Sequence, residues 1–184
     1  MTDTAIRTTQ TTWAIDANHS TLEFSVKHMM FTTVKGRFED FTGKILFDSA
    51  HVENSRVDVT IHTGSLNTNT AARDNHLRSA EFFDTANYPL ATLRSTSVEG
   101  DSDNFVVKGD LTIKGITHPI TLKAEYQGSG VNPSGIMVAG FEAKGTFNRK
   151  DFGLAWNQAL ESGGVLIGEE VKFSLEVQAA EAGS

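Results

Sequence analysis

Six histidines (His19, His28, His51, His62, His76 and His118) and 23 acidic side chains carry this chain's capacity for acid–base or metal chemistry. No two of the histidines stand four residues apart, the spacing that sets two imidazoles on one helical face around zinc. His19 with His28, or His51 with His62, would meet only across paired strands, and nothing in their spacing specifies it. Cysteine is absent, which removes disulfides, thiolate ligands and thiol nucleophiles. No Gly-x-Ser-x-Gly elbow, P-loop or dinucleotide fingerprint occurs, and Gly128-Ser129-Gly130 reads as a turn. No catalytic residue, metal or cofactor is therefore expected. Two polar clusters remain. Arg73, Asp74, His76 and Arg78 lie close enough for i, i+3 and i+4 neighbours to share a helical face. Asn148-Arg149-Lys150-Asp151 closes one patterned segment and opens a Gly-rich one.

The elements that must position these groups are almost all strands. Thr, Val and Phe dominate the patterned segments, and branched and aromatic side chains fit a pleated, half-buried surface. Leu22, Phe24, Val26 and His28 share one parity, and Val57, Val59 and Ile61 another such row. Phe105, Val107, Gly109, Leu111 and Ile113 alternate with Lys108, Asp110, Thr112 and Lys114. Phe141, Ala143, Gly145 and Phe147 form a further row, as do Val171, Phe173, Leu175 and Val177. Period two with one apolar face is the pattern of antiparallel strands wetted on one side. It predicts eight or nine strands, near 12–16, 20–30, 35–48, 54–63, 90–98, 104–114, 117–127, 136–149 and 168–178. The connection Lys114-Gly115-Ile116-Thr117-His118-Pro119 reads as a tight hairpin, with Gly115 supplying the unusual dihedral and Pro119 closing it. A short helix is expected near 71–79 within the long connection 64–89, and a second long connection spans 150–167. One domain over 11–178 follows, with 1–10 and 179–184 as flexible tails.

So many consecutive strands with one short helix leave a sandwich or a closed barrel, and strand length favours the barrel. Ten residues rise ~33 Å, which at a tilt of ~45° is ~23 Å of depth. Eight strands enclose an interior that either packs solid or holds one small ligand. Large inward residues (Phe24, Phe38, Phe47, Phe141, Phe147, Phe173) mix with small ones (Gly43, Gly109, Ala143, Gly145). The small ones mark a cavity, a strand bend or complementary packing, and the pattern leaves these open. The 184-residue chain has a formal charge of −7, with 16 basic against 23 acidic residues, which disfavours binding to nucleic-acid phosphates. No apolar run reaches the ~20 residues that span a bilayer, so stable membrane insertion is not expected. The start, Met1 to Thr12, lacks a charged segment followed by an apolar one, and a cytoplasmic location is the expectation.

Four motifs carry a family resemblance. They are Trp13-Ala14-Ile15-Asp16-Ala17-Asn18-His19-Ser20 leading into Phe24-Ser25-Val26-Lys27-His28, then Arg73-Asp74-Asn75-His76-Leu77-Arg78 running through Glu81-Phe82-Phe83-Asp84 to Tyr88-Pro89. Gly109-Asp110-Leu111-Thr112-Ile113-Lys114-Gly115 and Asn148-Arg149-Lys150-Asp151-Phe152-Gly153-Leu154-Ala155-Trp156 follow in order. Together they resemble the YceI-like family of bacterial proteins over about residues 13–178. The resemblance implies an extended, eight-stranded, lipocalin-like antiparallel barrel with the short helix over one end, often a homodimer. It implies an interior that binds, stores or carries a polyisoprenoid, an isoprenoid quinone or a fatty-acid derivative. The expected lining is Phe24, Val26, His28, Phe38, Phe47, Val59, Ile61, Leu93, Leu111, Ile113, Phe141, Phe147, Trp156 and Phe173. Arg73, His76 and Arg149 are the expected head-group contacts. The alternatives are a histidine at the core edge bonded to backbone for His28, and an ion-pair network of Arg73, Asp74 and Arg149 that pins the helix. Asp151 is expected to hold Arg149 or cap the turn. A solid-packed barrel serving as a stress-response or interaction module is the competing reading of the whole.

Overall fold

The structure, a computed structural model, describes residues 10–182. Its strands, in chain order, are β1 (Gln10–Ile15), β2 (Thr21–His28), β3 (Thr32–Phe38), β4 (Phe41–Asp48), β5 (Arg56–His62) and β6 (Leu66–Asn67), then β7 (Leu90–Gly100), β8 (Asn104–Ile113), β9 (Ile116–Val131), β10 (Met137–Asn148) and β11 (Ile167–Glu181). One α-helix, α1 (Ala71–Arg78), interrupts them. All strand pairings are antiparallel, and β1 pairs with both β4 and β11, which closes the ring.

Closure works because two pairs of strands each behave as one bent strand. β1 and β2 are separated only by a short turn at Ala17–His19, where Asp16 accepts the Asn18 N–H. β11 follows both halves, pairing Leu175 with Leu22 and Ala179 with Ile15. β3 and β4 break at Glu39-Asp40 and run back along the same pair, Phe38 opposite Leu22 and Ile45 opposite Trp13. The barrel thus has eight long staves, the expected number, although the expected strand 35–48 is two strands. Closure removes most of the sheet edge; the exception is β3, whose Thr32–Gly36 stretch pairs with β2 alone, β6 reaching only Arg37 and Phe38.

Two details depart from the sequence reading. First, the hairpin after β8 turns on Lys114 and Gly115 alone, both left-handed (φ 54° and 73°), the geometry of a type I′ turn. Pro119 does not close it; it lies inside β9 opposite Asp110, beyond the last β9–β10 pair, where its missing N–H breaks no ladder. Second, β1 begins at Gln10 and β11 runs to Glu181, with Ala179 wholly buried, so residues 10 and 179–181 are strand rather than tail. Residues 1–9 and 183–184, also expected as tails, lie outside the described residues.

Among the alternatives left open for the small inward residues, the glycines fall to strand bend and complementary packing, as sites of close approach. A Cβ at Gly109 would stand 2.8 Å from the Arg94 carbonyl oxygen, beside the irregularity between Ser95 and Ser97 in β7. A Cβ at Gly145 would meet the Phe173 ring at 2.6 Å. Gly109→Ala is accordingly expected to cost about 1–3 kcal/mol by overpacking against backbone that cannot yield. Urea denaturation checks this, and a change below about 0.5 kcal/mol would refute it.

Candidate functional site

The barrel interior is apolar because every stave turns its alternate residues inward. At the end formed by β1, β4 and the β7–β8 turn, Phe47 packs its ring against Phe105, Tyr126 and Phe141 at 4.9–5.7 Å. At the other end, Phe24 and Phe38 meet at 5.3 Å, and Phe83 stands edge-on to Phe38 at 5.7 Å. Between and around these rings lie two cavities. The larger, about 170 Å³, sits beneath α1 and is walled by Phe24, Val26, His28, Phe38, Ile61, Leu111, Ile113, Phe147 and Phe173, among others. The smaller, about 80 Å³, lies toward the Phe47 end, with Phe47, Phe141 and Ala143 in its wall. Val59, Leu93 and Leu175 border both and form a waist between them. A dry apolar cavity of ~150 Å³ accepts a benzene-sized ligand, so the larger space takes a group of that order as it stands. A longer chain must pass the waist.

All the expected lining residues but one fall on these walls. The exception is Trp156, which stands behind the larger cavity, its ring 4.6 Å from His76 and 5.7 Å from Phe82. Phe82, Phe83 and Leu77 line the cavity but were not expected to. They follow no strand alternation, and only the motif in which they occur marks them.

Arg73, His76 and Arg149 do come together at the α1 end of the larger cavity. The expected ion-pair network of Arg73, Asp74 and Arg149 does not form. Asp74, buried, accepts the Thr68 N–H at 2.8 Å and the Thr68 hydroxyl at 2.5 Å. Arg73 donates from Nε to Thr68 Oγ1 and from Nη2 to the Thr68 carbonyl, both at 2.7 Å. Arg78 donates to the carbonyls of Gly64 and Leu66. The helix is therefore tied down through Thr68 and the loop before it, by neutral acceptors as much as by charge. His76 Nε2 pairs with Glu81 and its ring stacks edge-on against Phe82.

Arg149 is only 3% exposed, and four backbone carbonyls hold it: Gly168, Leu154, Trp156 and Ile167. Burial pushes its guanidinium below the ordinary arginine range, with Glu169 opposing the shift. Carbonyl dipoles can satisfy its fork but do not neutralise it, so the charge stays within the wall of an apolar cavity. Asp151 does not hold it. The turn cap is Asn148, which accepts the Lys150 N–H at 2.9 Å, while Lys150 pairs with Glu169 at 2.7 Å. His28 reaches the cavity wall half-buried, and neither ring nitrogen has a hydrogen-bond partner among the described residues. The backbone-bonded alternative for His28 is thereby corrected. Among the described residues no group of three or more His, Asp or Glu is placed to hold a metal ion.

A closed eight-stave barrel, with its cavity under a single helix, is a lipocalin-like barrel built around an apolar interior. The chain belongs to the YceI-like family, whose domain model matches residues 13–179. It is 42% identical over 169 residues to a UPF0312 protein of Staphylococcus aureus strain N315, covering 91% of this chain and 96% of that one. The crystal structure of the Campylobacter jejuni YCEI protein superposes with a TM-score of 0.73 at 34% identity, covering 85% of this chain and 90% of that one. A polyisoprenoid-binding domain from Saccharophagus degradans, implicated in plant cell wall breakdown, shares the fold, with a TM-score of 0.64 at 18% identity over 92% of this chain and 98% of that one.

Proposed function

We propose that this chain is a binding protein rather than an enzyme, and that its barrel stores or carries a long apolar lipid of polyisoprenoid, isoprenoid-quinone or fatty-acyl character. One observation carries the reading: two apolar cavities lie toward the two ends of one barrel and share Val59, Leu93 and Leu175 in their walls. A chain threaded through both gains ~0.8 kcal/mol for each methylene taken from water. A solid-packed interaction module would have no use for such voids, which forfeit dispersion contacts along their walls. That the Saccharophagus degradans domain binds polyisoprenoid on the same fold supports this choice of ligand.

The polar end of the ligand meets His28, Arg73 and Arg149. Among the described residues, His28 offers unpartnered ring nitrogens, Arg73 leaves its Nη1 uncommitted, and Arg149 carries charge without a bonded carboxylate. The test is organic extraction of the natively purified protein followed by mass spectrometry, together with titration of the stripped protein with geranylgeranyl phosphate and with geranylgeraniol. Lipid in near-stoichiometric amount is expected, and no extractable lipid with no binding of either probe would overturn the proposal. His28→Leu should weaken the phosphate about tenfold, the value of one charge-assisted hydrogen bond, and leave the alcohol nearly unchanged. Equal loss for both probes would remove His28 from the head-group role.

A further inference from the structure

The β2–β3 hairpin ends in an exposed apolar point. Met29, Met30 and Phe31 are 40%, 66% and 83% exposed, and Met29 and Met30 both take left-handed backbone (φ 52° and 66°). That conformation is uncommon for side chains without a local hydrogen bond of their own to offset it. The point is nevertheless held in place. The Met29 N–H donates to the Leu166 carbonyl at 2.7 Å and the Phe31 N–H to the His28 carbonyl at 3.1 Å. Met30 lies against Gly164, where a Cβ would come within 2.5 Å of its sulfur, and the same loop exposes Val165.

Two further features surround it. His28, the residue before Met29, is in the wall of the larger cavity, so the point stands at the end of the barrel that holds that cavity. Immediately below it on the outer wall are Lys27, Lys35 and Lys172, all exposed, with Lys35 and Lys172 flanking Ser25 in register. Among the described residues none of the three forms an ion pair, in a chain whose net charge is −7. Lys35 and Lys172 border a groove of about 520 Å³ on the outer wall that Lys123 and Lys144 continue, with Glu23 the one acidic side chain in it.

We propose that this hairpin docks the barrel on an anionic lipid bilayer, with Met29, Met30 and Phe31 in the interfacial layer and the lysine face against the headgroups. Apolar side chains backed by cations match a bilayer surface, where anionic headgroups lie over hydrocarbon. A second copy of the chain is a poor occupant. A stable protein interface buries ~800 Å² per partner, and a narrow turn of three side chains does not offer that area. The proposed docking is through the hairpin alone; no helix among the described residues is long and apolar enough to cross a membrane. The inference goes beyond the reading of the interior, and its test fails separately from that reading, because docking is read by flotation and occupancy by extraction.

The experiment is flotation of the full chain with vesicles of phosphatidylcholine alone or mixed with phosphatidylglycerol, at low and high salt. The wild-type protein should float with the mixed vesicles at low salt. Met30→Ser with Phe31→Ser should weaken this roughly tenfold or more on both vesicle types, and Lys35→Glu with Lys172→Glu roughly tenfold on the mixed vesicles only. Melting temperature and extractable lipid should hold in both variants, since every altered side chain is exposed. Failure of the wild-type protein to float, or flotation equal in the variants, would overturn the proposal. So would a fall in mass by light scattering in the apolar variant with flotation unchanged, because the point would then belong to a second copy.

Discussion

Arg149→Met is expected to lower the stability of this barrel by about 3 kcal/mol, the cost of leaving buried carbonyls without their donor. In a domain of this size that is a fall in melting temperature of roughly 6–12 °C. The reason is geometric. Arg149 lies at the end of β10, and its guanidinium gathers carbonyls from Leu154 and Trp156 on one loop and from Ile167 and Gly168 at the start of β11. Deleting it loosens the 150–167 connection, which the buried Phe152 and Leu154, the Met29 N–H to the Leu166 carbonyl, and Asn157, bonded to both the N–H and the carbonyl of Ile167, still hold. A lysine at this position would not substitute, because one ammonium cannot reach carbonyls spread around a planar fork. Arg149→Lys should therefore recover less than half the loss. Thermal denaturation followed by circular dichroism decides it. A melting temperature within about 2 °C of wild type in Arg149→Met would show that the clasp is not what orders this end.

Leu93→Phe should divide ligands by length. Leu93 borders both cavities and faces Val59 across the β5–β7 pair, so a larger ring there narrows the waist. A short prenyl chain that fits the larger cavity loses little. A long one that needs both loses about 0.8 kcal/mol for each methylene kept in water, and roughly four of them amount to about 3 kcal/mol, or ~100-fold in affinity. Leu93→Ala is the matching variant. It should cost about 2–5 kcal/mol of stability while long-chain binding persists, because the waist is opened. Titration of both variants with prenyl alcohols of graded length measures this. Equal loss for short and long chains in Leu93→Phe would show that the two cavities do not serve one ligand.

Much of this protein is legible in the chain itself. Strand parity decides which residues face inward, because successive side chains in a strand point to opposite sides, so Phe24, Leu111 and Phe173 could be assigned without knowing what they face. The two-residue turn at Lys114-Gly115 and the helix near 71–79 were likewise local properties. Helical spacing put Arg73 and His76 on one face, with Arg149 expected as a further head-group contact, and the structure brings all three to the wall of the larger cavity. Their bonding was not foreseen. An arginine near an aspartate in sequence suggests an ion pair, but Asp74 turns to Thr68 and Arg149 to carbonyls from two separate stretches of backbone, contacts that no spacing encodes.

The inward and outward faces, the antiparallel strands and the apolar character of the interior were thus determined by the sequence alone, through period-two alternation and the cost of exposing so many phenyl and aliphatic groups. Tertiary structure alone decided the rest. Closure required β1 to pair with two strands distant from each other in the chain. Gly109 proved to be small because a neighbouring backbone lies across it, and Trp156 was turned away from the cavity by His76 and Phe82. The interior became two cavities because Val59, Leu93 and Leu175, from three separate strands, converge at one level of the barrel. Alternation states which side of a strand a residue occupies; the level at which it meets residues from other strands depends on stagger, bulges and tilt, which only the closed barrel sets.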